Sequence, residues 1–180
     1  MRARSSAASL LAALALSLLP GPEAPSYTLE STGAIRLVLS GGEASYGLLP
    51  ERVNGRPVIN ISLGPTQGEG ALWLFAYADE VLRPGRFQVA NWLPEQPFAG
   101  RYFHPCFVAG TVASPRGFFH GETGWVTITS VEDGRISGEF EMRARGFLAE
   151  DTSDEDQWVT LRGRFSVTGD STIAANQSRS

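Results

Sequence analysis

The sequence contains no lysine and only one cysteine. Cys106 has no partner within the chain, so no internal disulfide can form and a hydrophobic core must stabilise the domain. All 15 basic residues are arginines, interspersed with 19 acidic residues to give a net charge of −4. Without a basic stripe, a nucleic-acid partner is not expected.

The motifs of several enzyme classes are also missing. There is no Gly-x-Ser-x-Gly elbow, no His-Glu-x-x-His pair and no glycine-rich phosphate loop. Acidic residues are frequent enough to supply the two carboxylates of a glycoside hydrolase, but the sequence does not bring a particular pair to the required separation. The sequence therefore favours a protein that is not an enzyme, and a hydrolase with an unrecognised carboxylate pair is an alternative.

The first 26 residues have the pattern of a signal peptide. Arg2 and Arg4 precede an apolar run over residues 10–19, which ends before Pro20. A positive start, a short apolar run and an exit rich in small residues are typical of secretory leaders. We expect cleavage after Ser26 and a mature protein in the periplasm, on the cell surface or outside the cell. An uncleaved N-terminal anchor is the alternative, and no later apolar run is long enough to span a membrane.

The mature sequence predicts one all-β domain over residues 27–168. The 20 glycines and 11 prolines of the chain separate short runs rich in Val, Ile, Thr and aromatic residues, which is typical of a sandwich or a barrel. We expect a single antiparallel β-sandwich or a strongly curved, barrel-like sheet with little helix. The small, polar residues 169–180 are expected to be disordered. The predicted strands are residues 35–39, 57–63, 72–77, 86–92, 102–108, 124–131, 134–144 and 158–168.

The clearest unit is a hairpin near the C-terminal end of this domain. Asp133-Gly134 is a strong turn signal between two strand patterns. In the strand after the turn, and again in the last predicted strand, apolar residues alternate with polar ones. The residues expected to face inward are Ile136, Phe140, Met142, Val159, Leu161, Phe165 and Val167. The charged residues expected to pair across the outer face are Glu139 and Glu141 with Arg162 and Arg164.

A glycine interrupts the inward series of both strands, at Gly138 and at Gly163. An inward glycine marks a point where the sheet bends or where an aromatic ring lies across the gap. Two such glycines on neighbouring strands predict a strongly curved sheet.

Three segments in the last third of the chain form a combined pattern. They are Val126-Thr127-Ile128-Thr129, Ile136-Ser137-Gly138-Glu139-Phe140 and Val159-Thr160-Leu161-Arg162-Gly163-Arg164-Phe165. Together they resemble exported bacterial β-domains of uncharacterised function. The resemblance implies a β fold and a location outside the cytoplasm, and it implies no catalytic residues. Many of those domains are lipoproteins, whereas this chain has no cysteine near its leader.

Both histidines lie two residues from another potential metal ligand. The pairs are His104 with Cys106 and His120 with Glu122. In a strand, residues i and i+2 share a face, and the span between the pairs could fold back as a hairpin. Two imidazoles, a thiolate and a carboxylate suit zinc or copper. Because neither spacing is that of a zinc ribbon and aromatic residues surround Cys106, we expect an inert core cysteine. Metal binding and an intermolecular disulfide are the alternatives.

The segment of residues 91–103 is interrupted by prolines and rich in aromatic side chains. Flat rings beside arginine and amide donors are typical of a sugar-binding face or a peptide groove. The candidate binding residues are Trp92, Phe98, Arg101 and Tyr102, which could instead close one end of the core. The sequence thus favours an exported, non-enzymatic β-domain that binds a ligand or forms part of the cell envelope. The expected partner is a small molecule, a glycan or an envelope protein, and no cofactor is expected apart from the alternative zinc or copper.

Overall fold

Nearly all of the chain that the computed structural model describes is β-strand. The described residues are 24–53, 55–65, 70–91, 102–109, 116–151 and 156–169, without the side chains of residues 50–52. They contain ten strands and one helical turn, α1 (Ala78–Val81), so the predicted all-β class with little helix is confirmed. The strands are β1 (Ser26–Gly33), β2 (Leu37–Gly41), β3 (Ala44–Val53), β4 (Arg56–Leu63), β5 (Gly70–Tyr77), β6 (Gly85–Val89), β7 (Tyr102–Ala109), β8 (Gly117–Glu132), β9 (Arg135–Leu148) and β10 (Gln157–Gly169).

The ten strands form a single sheet. Its hydrogen-bonded order is β2-β1-β10-β3-β4-β5-β7-β6-β8-β9, and β10 also pairs with β9 and β7 with β8. Most pairs are antiparallel as predicted, but β10 is parallel to β3 and β6 is parallel to β7, each over two residue pairs. β6 ends at Val89 and β7 begins at Tyr102, so the connection has about the dozen residues that a parallel pair requires.

The predicted turn at Asp133-Gly134 is confirmed. β8 ends at Glu132 and β9 begins at Arg135, so the turn has two residues. Both have positive φ, 49° for Asp133 and 71° for Gly134, which is the requirement of the type I′ turn that matches strand twist. The turn sets the register of β8 and β9 next to it, from Glu132 with Arg135 to Ser130 with Ser137, and the register then shifts between Ile128 and Ser130 and again between Gly121 and Thr123.

The predicted inward series of β9 and β10 is also confirmed, since all seven side chains are buried. In the register, Phe140 lies opposite Gly163 and Phe165 lies opposite Gly138. A Cβ on Gly163 would lie 2.8 Å from the Phe140 ring, and one on Gly138 would lie 2.6 Å from the Phe165 ring. Each glycine therefore makes room for an aromatic ring of the neighbouring strand.

The structure adds β1 and β3, which the hydrophobic pattern does not predict. β1 turns Ser31 inward, where its hydroxyl donates to the carbonyl of Ile35 at 3.0 Å. β3 contains Gly47 and Pro50, which are usual turn residues, and yet it pairs with β4. β8 begins at Gly117 instead of residue 124, because its first part pairs with both β7 and β9.

Residues 1–23 of the predicted leader lie outside the described residues, and so does the tail from residue 170 onward. Both the leader and the disordered tail stay predictions. Within the described ranges, no helix has the length and apolar character needed to cross a membrane.

Candidate functional site

The four predicted metal ligands lie on two neighbouring strands, β7 and β8. The two strands are antiparallel, and Cys106 lies directly opposite His120. This is the hairpin-like arrangement that the sequence suggested for the two pairs. The side chains nevertheless have different surroundings, which decide what each can do.

Cys106 and His120 are in contact. The Sγ of Cys106 lies 3.6 Å from the Nδ1 of His120, and the His120 ring packs edge-on against Phe118 with centroids 4.7 Å apart. Burial raises the pKa of the Cys106 thiol to about 11. The sulfur therefore carries its proton at neutral pH, and it lies within hydrogen-bonding distance of Nδ1. A protonated thiol is neither a strong nucleophile nor a metal ligand.

His104 is held by backbone. Its side chain is buried, and its Nδ1 lies 3.0 Å from the carbonyl oxygen of Ala90. Burial lowers the pKa of His104, while hydrogen bonds to the backbone of Ala90 and Asn91 partly oppose that shift. The imidazole thus anchors the end of β7 to the chain that follows β6.

Glu122 lies at a β-bulge, where the register of β8 against β9 shifts between Gly121 and Thr123. One of its carboxylate oxygens accepts a hydrogen bond from the Nδ2 of Asn91 at 2.8 Å and another from the Nε of Arg145 at 3.0 Å. Arg145 also contacts Asp156 at 3.1 Å. The carboxylate is therefore engaged by an amide and by a guanidinium.

The structure brings together Cys106 and His120 but not the complete set of four. Among the described residues, no group of three or more His, Cys, Asp or Glu side chains has a geometry that could hold a metal ion. Metal binding stays a hypothesis. Zinc and copper content of the purified protein, compared with a variant in which His104 and His120 are both alanine, is the measurement that decides it.

The raised pKa of Cys106 predicts slow alkylation of the folded protein. Below about pH 9 the thiolate fraction should be about a hundredfold smaller than that of an ordinary thiol. The rate with iodoacetamide should therefore keep rising up to about pH 11 in the folded protein, but level off near pH 9 in denaturant. Because the chain has one cysteine, mass spectrometry reports this site alone. A folded-state rate that levels off near pH 9 would contradict the prediction.

Of the four candidate binding residues in the aromatic segment, the structure describes Tyr102. Trp92, Phe98 and Arg101 lie outside the described residues, so ligand binding there stays a prediction. Tyr102 is half-buried at the start of β7, opposite Gln88 of β6. Tyr102, the candidate binding residue that the structure describes, therefore belongs to a strand and not to a loop.

A different polar surface lies on the outer side of the sheet, across β2, β1, β10, β9 and β8. It forms a groove that is open to solvent and has a volume of about 390 Å³. We call it the outer groove. Its lining side chains are Thr28, Glu30, Val38, Trp125, Glu139, Glu141, Arg162 and Arg164.

The charges of the outer groove alternate in sign across the strands. Arg162 lies between Glu30 and Glu141, and Arg164 lies opposite Glu139, so the predicted facing positions on β9 and β10 are confirmed. Within the described residues, no hydrogen bond or ion pair joins these side chains to one another. Their donors and acceptors are thus available to a ligand. Three carboxylates and two guanidinium groups favour neither a strongly anionic nor a strongly cationic one.

Trp125 supplies the flat apolar surface of the outer groove. The guanidinium carbon of Arg86 lies 4.5 Å from the centroid of its ring. Arg86 belongs to β6, and β6 and β9 flank β8 on opposite sides. Arg86 therefore holds the ring from the side away from the groove, while Glu141 lies directly opposite Trp125 on the groove side.

Two other depressions of the surface lack an accessible ring. One of about 380 Å³ includes Tyr27, and the other, of about 540 Å³, includes Tyr46. Both tyrosines are more than nine-tenths buried, so neither ring can be covered by a ligand. The outer groove is therefore the stronger candidate site.

Sequence reasoning finds the charged part of the outer groove but not its use. The alternation in β9 and β10 turns Glu139, Glu141, Arg162 and Arg164 outward, where charged side chains are ordinary. Trp125 begins a strand pattern and has no local motif around it. No sequence signal joins these residues to β1 and β2, which precede them by about a hundred positions in the chain. A comparison of this chain with protein-family models, curated proteins and solved structures found no match.

Proposed function

We propose that the protein is an exported, non-enzymatic β-domain that binds a glycan in the outer groove. The observation that carries this proposal is the position of Trp125, whose ring borders an open groove. The carboxylates and guanidinium groups that line this groove form no hydrogen bond or ion pair with one another in the described part of the chain. An aromatic ring can cover the apolar face of a sugar ring. Carboxylates accept hydrogen bonds from hydroxyl groups, and guanidinium groups donate to hydroxyl oxygens, so both directions of bonding are available.

The charge pattern supports a neutral ligand with many hydroxyl groups. A phosphate or sulfate would meet Glu30 or Glu141 beside Arg162, and like charges disfavour that approach. A cation would meet the two arginines. Hydroxyl groups meet no such penalty with either sign of charge.

Binding is favoured over hydrolysis because of the shape of the site. Glu139 and Glu141 are exposed on the outer face, and the groove is open along its length. Glycoside hydrolysis needs two carboxylates on either side of the scissile bond. Glu139 and Glu141 lie two positions apart on one strand, and Arg162 lies between Glu141 and Glu30, the third carboxylate of the groove. Product analysis of each bound glycan tests the alternative, and release of shortened fragments would favour the hydrolase.

The replacement Trp125→Ala tests the site. We expect it to weaken glycan binding by about tenfold or more, which corresponds to about 1.4 kcal/mol, because the covered ring face is lost. A glycan array identifies the ligand, and titration calorimetry gives its affinity for each variant. Trp158→Ala is the matched control: Trp158 lies on the outer face of β10, is 40% exposed and is also covered by an arginine, Arg143, at 4.6 Å.

The two tryptophan variants separate a specific groove from a generally sticky surface. Unchanged binding of Trp158→Ala with weakened binding of Trp125→Ala supports the proposal. Equal losses in both variants would contradict it, as would an array on which the wild-type protein binds no glycan. In the latter case a structural role in the cell envelope becomes the better account.

Export and the barrel-like alternative are parts of the same proposal. Arg2, Arg4 and the apolar run support cleavage of a leader, and intact mass of the protein from the exported fraction tests it. Retention of Met1 would argue against it. The sheet order runs from β3 through β4, β5, β7, β6 and β8 to β9, and β10 pairs with the strands at both ends of this series. This double pairing supports a strongly curved, barrel-like sheet over a sandwich.

A further inference from the structure

One row of side chains crosses five strands of the outer groove. The registers align Val38 with Glu30, Glu30 with Arg162, Arg162 with Glu141 and Glu141 with Trp125. These residues belong to β2, β1, β10, β9 and β8. With neighbouring strands about 4.8 Å apart, the row is about 19 Å long, measured along the sheet. A single hexose ring covers only a small part of this length.

The two ends of the row are apolar, and its middle is charged. Val38 is 76% exposed on β2, so its apolar side chain is accessible to a ligand. At the other end, Arg86 supports the ring of Trp125. The three charged side chains between them alternate in sign, so the row offers an apolar contact, then hydrogen-bonding groups, then a second apolar contact.

We infer that the ligand of the outer groove is a linear glycan longer than a disaccharide, which lies across the strands from Trp125 to Val38. This inference rests on the proposed function and specifies the class of ligand that the groove binds. Each ring of an extended oligosaccharide presents an apolar face and a rim of hydroxyl groups. A ligand that spans the row can therefore place one terminal ring on Trp125 and the other against Val38, while the hydroxyl groups of the rings between them meet the charged side chains. A monosaccharide reaches Trp125 or Val38, but never both.

An extended peptide fits this surface less well. Peptides that join a sheet bind through the free backbone groups of an edge strand. Among the described strands, β2 pairs with β1 alone, but a peptide added to its free edge would run along β2 and would not cross the row. The other strands of the row include β1, β10 and β9, whose backbones are paired on both sides by neighbouring strands along the groove. Only side chains are offered on these three strands, and they are groups that bond hydroxyls in both directions.

A length series of ligands tests the inference. Cello-oligosaccharides and chito-oligosaccharides, from the monosaccharide to the hexasaccharide, are titrated into the full-length mature protein. If the glycan array selects another linear glycan, its fragments form the series. We expect the affinity to rise with chain length by on the order of a hundredfold, as both apolar ends become covered, and then to stay constant. Val38→Ser should weaken binding of the long ligands by about threefold to tenfold and leave the monosaccharide unaffected.

The matched control is Phe147→Ser, which removes an apolar side chain that is 58% exposed and lies away from the groove. It should leave the whole series unchanged. A monosaccharide that binds as tightly as the hexasaccharide, or a Val38→Ser loss that is equal at every length, would overturn the inference and leave the proposed function standing. Failure of every glycan to bind would overturn the proposed function itself. Tighter binding of extended, uncharged peptides than of any glycan would replace the glycan by a peptide.

Discussion

Replacing Phe140 by alanine should lower the free energy of unfolding by about 3–5 kcal/mol, and Phe165→Ala should have an effect of the same size. Both rings are buried, at 2% and 4% exposure, within the main hydrophobic core. Each ring lies against a glycine of the neighbouring strand, so no side chain is placed to fill the space that it leaves. Loss of the buried area and the residual cavity therefore add together.

Urea unfolding, followed by circular dichroism, measures this loss, and Phe147→Ala is the control. Phe147 lies on the same strand as Phe140 but is 58% exposed on the outer face. Its replacement should cost much less, about 0.5 kcal/mol. If Phe147→Ala destabilised the protein as much as Phe140→Ala, the inward face of β9 would be wrongly assigned, because a shift by one residue exchanges the two faces.

The sequence is most informative where one face of a strand is buried and the other is wet. In β9 and β10 the alternation of apolar and charged residues determines which side chains enter the core, and the structure agrees at every inward position. Asp133-Gly134 predicts the turn between β8 and β9, because both residues tolerate positive φ. These are local signals, and they determine structure over a few neighbouring residues.

The same reasoning fails where burial does not follow the apolar pattern. Ser31 of β1 is buried, and its hydroxyl donates a hydrogen bond to the carbonyl of Ile35. A hydrophobicity pattern does not reveal such a bond. Gly47 and Pro50 look like turn residues, but β3 is paired with β4 and meets β10 only at its start. Such strands are determined by their partners and not by their own sequence.

The candidate site was beyond local reasoning for a related reason. Glu30 and Val38 reach the outer groove from the first two strands, whereas Arg162 comes from the last. Their alignment depends on registers between strands that are distant in sequence, and one chain contains no signal for such registers. By contrast, Cys106 and His120 lie on two strands that are near in sequence, and the sequence suggested that these two segments could fold back on each other.

Gly163→Ala should destabilise the protein by about 3 kcal/mol, more than an alanine usually costs in a strand. A Cβ at this position would meet the backbone carbonyl oxygen of Thr28 well inside van der Waals contact, and the Phe140 ring at 2.8 Å. The carbonyl belongs to β1, which is paired with β10 along this stretch and with β2 on its other side. A shift of β1 therefore strains two ladders, whereas a side chain could simply rotate.

Gly47→Ala is the matched control, because Gly47 also lies in a strand and a Cβ there would meet no atom within 4 Å. It should leave the urea midpoint nearly unchanged. The double variant Gly163→Ala/Phe140→Ala separates the two contacts of Gly163. If the carbonyl of Thr28 sets the cost, removal of the ring brings no rescue, and the double variant is destabilised by nearly the sum of the single effects. If the double variant is destabilised by less than the sum of the two single effects, the Phe140 ring is the constraint. That result would also show that β1 and β10 can separate to admit a methyl group.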